Sequence, residues 1–487
     1  MERTLQELLT DRPAEVEVAA ATVADRARSS GRVLIVLDDD PTGTQSVADL
    51  PVLMTWTRQS FDWALQQGRP AVYVMTNSRS LPPDEAAERN REVARSALAA
   101  AAEAGVPVSF VSRSDSTLRG HFPLETDVLA EEVRAATGTA VDGVVVVPAF
   151  GDAGRVTVGG VHYAGADDAY VPVGESEFAR DATFGYASSD LRQWVQEKSE
   201  GRIAAADVAH VDLTVLRCDH DGVVNLLRSL HDGQPMVVDI VTENDLRLLA
   251  LAILDAEEAG SHLIFRVGPP FARALIGQPP HPPLEAADLT AIRAGGLAED
   301  ARGGLIVVGS HVELTTRQLD ALMARRSPAR IELDVHRVLA DDADHYLDEV
   351  AADAVGVLAD ADVVVSTSRT LVTAADKAES LAIARRVSTA VVEVVARVLA
   401  ARPPRFVVAK GGITSSDVAA RGLGIERAMV RGPMLPGLVS LWEPVGGRAR
   451  GIPYVVFAGN VGGPDSLADV VDKLAAPDRA PTKEEQT

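Results

Sequence analysis

The chain has 487 residues, of which 46% are hydrophobic and 24% charged, and 70 acidic against 47 basic side chains give a formal charge of −23. At roughly 100–200 residues per domain that length exceeds a single core, so two domains are expected. The acidic balance repels nucleic acid and anionic membrane surfaces and argues against polyanion binding, while small anionic ligands remain open to local arginine clusters.

The single cysteine, Cys218, rules out an intrachain disulfide and a cysteine-based zinc site. The N-terminal thirty residues carry charges throughout and lack the apolar centre of a signal peptide. No uncharged apolar run approaches the roughly 18–20 residues of a membrane span, so a cytoplasmic location is expected. Short β-branched runs then alternate with Ala-, Glu- and Arg-rich stretches. They begin at Val33 (VLIVLD), Ala71 (AVYVMTN), Pro107 (PVSFVS), Asp142 (DGVVVVP) and Pro235 (PMVVDIV). Their lack of alternation suits parallel strands covered on both faces. Pro82, Pro83 and Asp84 mark the start of a helix reaching Ala104.

Residues 276–304, with four prolines around His281, read as a linker or long surface connection. Five more strand-like runs follow (GLIVVGS, RIELDV, DADVVVSTS, PRFVVAKGG and IPYVVFAGN), with a long helix over Ala374–Ala401. That helix can pack internally or in a homodimer. The pattern predicts an α/β fold of two domains, each a mostly parallel sheet flanked by helices. The domains are placed at 1–280 and 300–475, with a disordered tail at 476–487.

Strand ends in the first half run into polar clusters. Asp38, Asp39 and Asp40 stand side by side, followed by Thr42 and Gly43. One cap needs one side chain, and neighbouring carboxylates repel each other unless cations, a shared proton or hydroxyls intervene. A second cluster holds Arg113, Asp115, Ser116, Thr117, Arg119, Gly120 and His121; Arg155 and Arg180 follow. Guanidinium groups suit a substrate carboxylate, which they grip in bidentate fashion. In open α/β sheets ligands collect beyond the carboxyl ends of the strands. In the second half, strands end in glycine and hydroxyl residues: Gly309 and Ser310; Gly411, Gly412, Thr414 and Ser415; Gly459, Asn460, Gly462 and Gly463. Such turns allow close backbone approach, and helix amides stabilise anions, which points to a phosphate cradle. Neither G-x-x-x-x-G-K-[ST] nor G-x-G-x-x-G is present.

These motifs resemble the four-carbon acid sugar kinases. Asp39, Asp40, Thr42 and Gly43 match an Asp-Asp-x-Thr-Gly turn, and Asp115 to Gly120 match Asp-Ser-Thr-Leu-Arg-Gly residue for residue. The three C-terminal glycine turns match as well, while a third aspartate, Asp38, and His311–Val312 depart from the usual pattern. The resemblance implies an N-terminal domain for the acid sugar, a C-terminal domain for ATP, and Mg²⁺ on the phosphates. Erythronate, threonate or 3-oxo-tetronate would be phosphorylated on the terminal hydroxyl. The proton acceptor is then Asp40 or Asp115, and Arg113, Arg119, Arg155 and Arg180 compete for the carboxylate. An NAD-dependent hydroxy-acid dehydrogenase lacks its dinucleotide fingerprint here, and a non-catalytic sugar-acid sensor leaves the paired carboxylates without a task.

Overall fold

Apolar β-branched runs become strands wherever the reading placed them, in a computed structural model that describes residues 2–477 apart from Pro41, Asp167, His311 and residues 369–376. Most of the tail expected at 476–487, residue His311, and the start of the helix expected from Ala374 lie outside the described residues. The chain divides into two units. One comprises residues up to Gly43 together with Leu50–Pro280, the other Thr44–Asp49 together with residues from His281 onward.

The first unit is built on β1 (Val33–Asp38), β2 (Leu50–Leu53), β3 (Ala71–Met75), β4 (Val108–Arg113), β5 (Gly143–Val147), β9 (Ala209–Val211), β10 (Gln234–Val238) and β11 (Leu263–Val267). All neighbours pair in parallel, in the order β2-β3-β1-β4-β11-β5-β10-β9. A small antiparallel sheet of β6 (Arg155–Val158), β7 (Val161–Ala166) and β8 (Ala169–Pro172) belongs to the same unit. The helix Pro83–Ala104 opens with Asp84 and Glu85 in its first turn and stops at Gly105, whose φ of 67° ends it. Its Val93, Ala94 and Ala97 pack with Ile35, Val72 and Phe110 on one face of the sheet. Small residues there let helix and sheet approach closely.

The second unit carries β12 (Leu305–Val308), β13 (Ala329–Leu333), β14 (Val363–Thr367), β15 (Val407–Lys410), β16 (Arg427–Leu435), β17 (Leu438–Pro444) and β18 (Tyr454–Phe457). The order is β13-β14-β12-β15-β18-β17-β16, parallel as far as β18 and antiparallel beyond it. The stretch read as a linker contains a helix, Ala286–Arg293. Leu289 and Ile292, three residues apart, enter the core with Leu284, and the surrounding Pro and Gly had hidden that spacing. The short segment Thr44–Asp49 also packs in this unit. Thr44 Oγ1 donates to Ser440 Oγ (2.8 Å), Trp442 Nε1 donates to Thr44 Oγ1 (3.0 Å), and Asp49 pairs with Arg431.

Candidate functional site

In the first unit β1 and β4 are neighbours, and Asp38 lies directly opposite Arg113 in the register. This adjacency pairs Asp38, and the two aspartates after it are met by Arg79 and the Thr42 turn. Asp38, fully buried, forms an ion pair with Arg113. Asp39 is gripped by both arms of Arg79, Nε to Oδ2 at 3.0 Å and Nη2 to Oδ1 at 2.6 Å. Asp40 accepts the Thr42 N–H (2.9 Å) and hydroxyl (2.5 Å) on Oδ1, and its Oδ2 has the Arg79 guanidinium at 3.4 Å. Burial pushes the Asp39 carboxyl up to about 7, against the pull of Arg79. Burial likewise lowers the Arg113 guanidinium, to about 9.

Gly43 lies over the Asp38–Arg113 pair so tightly that a Cβ would overlap Arg113 Nη2 and Asp38 Oδ2. Gly43→Ala therefore costs about 1–3 kcal/mol of stability by overpacking, read as a lower urea midpoint. An unchanged midpoint would show that the turn relaxes freely.

The loop after β4 is held from several sides. Asp115 accepts from the Thr117 hydroxyl and from Arg119 Nε (2.6 Å). Burial raises its carboxyl, but Arg79 and then Arg119 outweigh that and hold it well below the ordinary range. The Ser116 carbonyl accepts from His162 Nε2 (2.8 Å), while Thr157 donates to His162 Nδ1 (2.9 Å). This ring is buried and its pKa is lowered to about 4, so it acts as a fixed neutral clamp. Tyr186 Oη donates to the Thr117 carbonyl (2.7 Å), and Arg266 to that of Arg119 (3.1 Å). Leu118, fully buried between them, is held at φ 68°, a conformation side chains rarely adopt.

Sequence reasoning missed Arg79 and Arg266. Arg266 carried a signal, a charge inside an otherwise apolar strand. Arg79 carried little, lying four residues beyond the end of β3. The arginines put forward from sequence separate clearly. Arg113 is committed to Asp38, and Arg119 to Asp115 with Asp181 at 3.7 Å. Arg180 is exposed on the short helix Glu177–Arg180. Arg155 is half-buried, donates to the Ala153 carbonyl and sits 5.5 Å from the Phe178 ring, and among the described residues it has no carboxylate in ion-pair contact. Arg266 also lacks one, but it is buried against Trp194 at 5.0 Å. His121 holds the Ser78 and Leu81 carbonyls (3.1 and 3.0 Å), a structural role. A cavity of about 440 Å³ lies at the other, amino-terminal edge of β4 and β11. Its charges are already paired, Arg26 with Asp255 and Arg32 with Glu257.

In the second unit the three glycine turns leave the carboxyl ends of β12, β15 and β18, which are consecutive in the sheet. They interlock. Thr315 Oγ1 bonds both Ser310 Oγ (3.1 Å) and the Gly459 carbonyl (2.9 Å). A Cβ on Gly309 would overlap Thr414 Oγ1, and one on Gly459 would come within 2.5 Å of Ser310 Oγ. Gly411 adopts φ 127°, and Gly412 opens the helix Gly412–Asp417. Ser415 Oγ is turned inward onto the Ala409 and Gly411 carbonyls, both at 2.7 Å. Asn460 is exposed, and Gly462, at φ 82°, packs against Ser466. The result is a set of turns packed closely against one another, with the hydroxyl side chains of Ser310, Thr414 and Ser466 filling the space beside the glycines.

A family model described as a sugar-binding N-terminal domain matches residues 34–275, and one described as a nucleotide-binding C-terminal domain matches residues 305–467. The chain is similar to the 3-oxo-tetronate kinase of Methylobacterium radiotolerans, with 30% identity over 412 residues, covering 83% of this chain and 89% of that one. It is also similar to the D-erythronate kinase of Heliobacterium modesticaldum, at 26% identity with 63% and 64% covered. The solved structure of Haemophilus influenzae protein HI1011 shares the fold, with a TM-score of 0.61 at 18% identity, covering 90% of this chain and 100% of that one.

Proposed function

The chain belongs to the four-carbon acid sugar kinase family and is a sugar-acid kinase, and from that premise we propose that it transfers the γ-phosphoryl group of ATP to the terminal (C4) hydroxyl of erythronate, threonate or 3-oxo-tetronate. The observation that carries this reading is the cluster at the ends of β1 and β4. Its acids are partnered, while half-buried Arg155 has no carboxylate in ion-pair contact. A small polyhydroxy acid supplies what such a cluster lacks, one carboxylate for Arg155 and several hydroxyls for Asp40, Asp39, Thr42, Asp115, Ser116 and Thr117.

Asp40 is the proton acceptor. Asp115 is a weak base, held down by two arginines, and Asp39 is enclosed in the fork of Arg79. Asp40 alone is half-open, with a side chain 27% exposed and Oδ2 facing only a long contact with Arg79. Phosphoryl transfer is mostly positioning and charge neutralisation, so an accessible, well-placed carboxylate oxygen suffices. The glycine turns of the second unit suit the triphosphate, since glycine lets backbone amides approach phosphate oxygens closely. No group of three or more His, Cys, Asp or Glu side chains among the described residues is arranged to hold a metal. Mg²⁺ carried by the phosphates and water would neutralise the triphosphate charge.

An ADP-release screen with Mg-ATP over C4 and C5 acid sugars tests the reading. Turnover is expected with at least one tetronate and with no uncharged tetritol. ADP release that is equal with and without every acid would overturn it.

A further inference from the structure

Lys410 is the last residue of β15, in register with Val308 of β12 and Phe457 of β18, and its side chain is fully buried. It therefore stands where the glycine turns leave the sheet. The Gly309 N–H donates to the Lys410 carbonyl (3.2 Å), and the Gly411 N–H to that of Phe457 (2.8 Å). Nζ donates to the Ala458 carbonyl, one residue before Gly459, at 2.6 Å, and lies 3.8 Å from the Phe457 ring centroid. Both groups are uncharged, and among the described residues no acidic side chain pairs with Nζ. A buried ammonium with one carbonyl and one ring is poorly compensated, and burial alone pulls the amine down to about 7. An apolar side chain would pack there at less cost, so stability does not account for a lysine beneath three anion-suited turns.

We propose that Lys410 is a positioning residue of the nucleotide site, taking up one proton from solvent when phosphates occupy the glycine turns and, as an ammonium, fixing the Ala458–Gly459 turn beneath them. The inference rests on the nucleotide-binding reading of this unit. The change is amine plus proton to ammonium, with no covalent bond made or broken. The bound anion favours the charged form, so the amine's pKa is higher in the complex than in the free protein. Above neutral pH the free protein holds the neutral amine and the complex the ammonium, so affinity falls as pH rises from about 7.

Calorimetric titration of the full chain with Mg-ADP near pH 8, in two buffers of different ionisation enthalpy, reads the uptake directly. At that pH the nucleotide is already ionised, and uptake of roughly 0.5–1 proton per ADP is expected. Lys410→Arg keeps its charge at every working pH, so it should bind without uptake and with a flat pH profile. Lys410→Met should bind more weakly, without uptake, while melting no lower than the wild type at pH 6, because a buried cation has been removed. Binding of Mg-ADP by the wild type without uptake overturns the inference alone, as does unchanged uptake in Lys410→Met. No Mg-ADP binding at any pH overturns the nucleotide reading and this inference with it.

Discussion

Asp40→Asn lowers kcat about 10²- to 10⁴-fold, the usual worth of a positioned general base, and leaves Mg-ADP affinity unchanged. The amide keeps the shape of the side chain, and an amide oxygen still accepts from Thr42. What disappears is the capacity to take the proton of the attacking hydroxyl at Oδ2, the oxygen that faces only the 3.4 Å contact with Arg79. Asp115→Asn separates the two candidates, because it removes the partner of Arg119. Its effect should fall on acid-sugar KM as well as kcat, whereas Asp40→Asn spares KM. Steady-state kinetics on both variants, with nucleotide binding measured apart, decides the matter. Asp40→Asn turning over within about threefold of the wild type would move the acceptor role elsewhere.

Much of this arrangement was legible in the sequence, for a definite reason. Parallel strands buried on both faces are continuous β-branched runs, so VLIVLD, DGVVVVP and PRFVVAKGG announce themselves. Their polar ends mark the carboxyl edge, where such sheets place ligands. The glycines of the second unit were legible as close approaches, and at Gly309 and Gly459 the space is indeed absent. What stayed hidden depends on partners remote in sequence. The pairing of Asp38 with Arg113 follows from β1 lying beside β4, which no local pattern reveals. The hairpin β16–β17 was missed because Pro433 and a bulge at Arg431, between Val430 and Gly432, interrupt its alternation. Nothing in TQSVAD signals that Thr44 to Asp49 pack with Trp442 and Arg431, residues almost four hundred positions away. Lys410 was read as part of a strand, and only its complete burial singles it out.

Arg155→Met raises the KM for the acid sugar about 10- to 100-fold with a smaller change in kcat. That range corresponds to one charge-assisted hydrogen-bonded contact of about 1.5–3 kcal/mol. Four arginines were open from sequence. Arg113 is tied to Asp38 and Arg119 to Asp115, so recruiting either would strand a buried or half-buried carboxylate. Arg180 is exposed, and water competes there for any anion it meets. Arg155 has neither handicap: the Phe178 ring flanks its guanidinium, and a backbone carbonyl takes one N–H. Because the group reads charge, the sharper measurement is discrimination. The wild type should prefer the acid strongly over its uncharged amide, and Arg155→Met should lose most of that preference. Arg155→Lys should recover part of it, since a point charge attracts the carboxylate without gripping both oxygens. If Arg155→Met keeps its KM while Arg119→Met loses affinity without loss of fold, the carboxylate sits at Arg119, and Asp115 must release its partner whenever substrate binds.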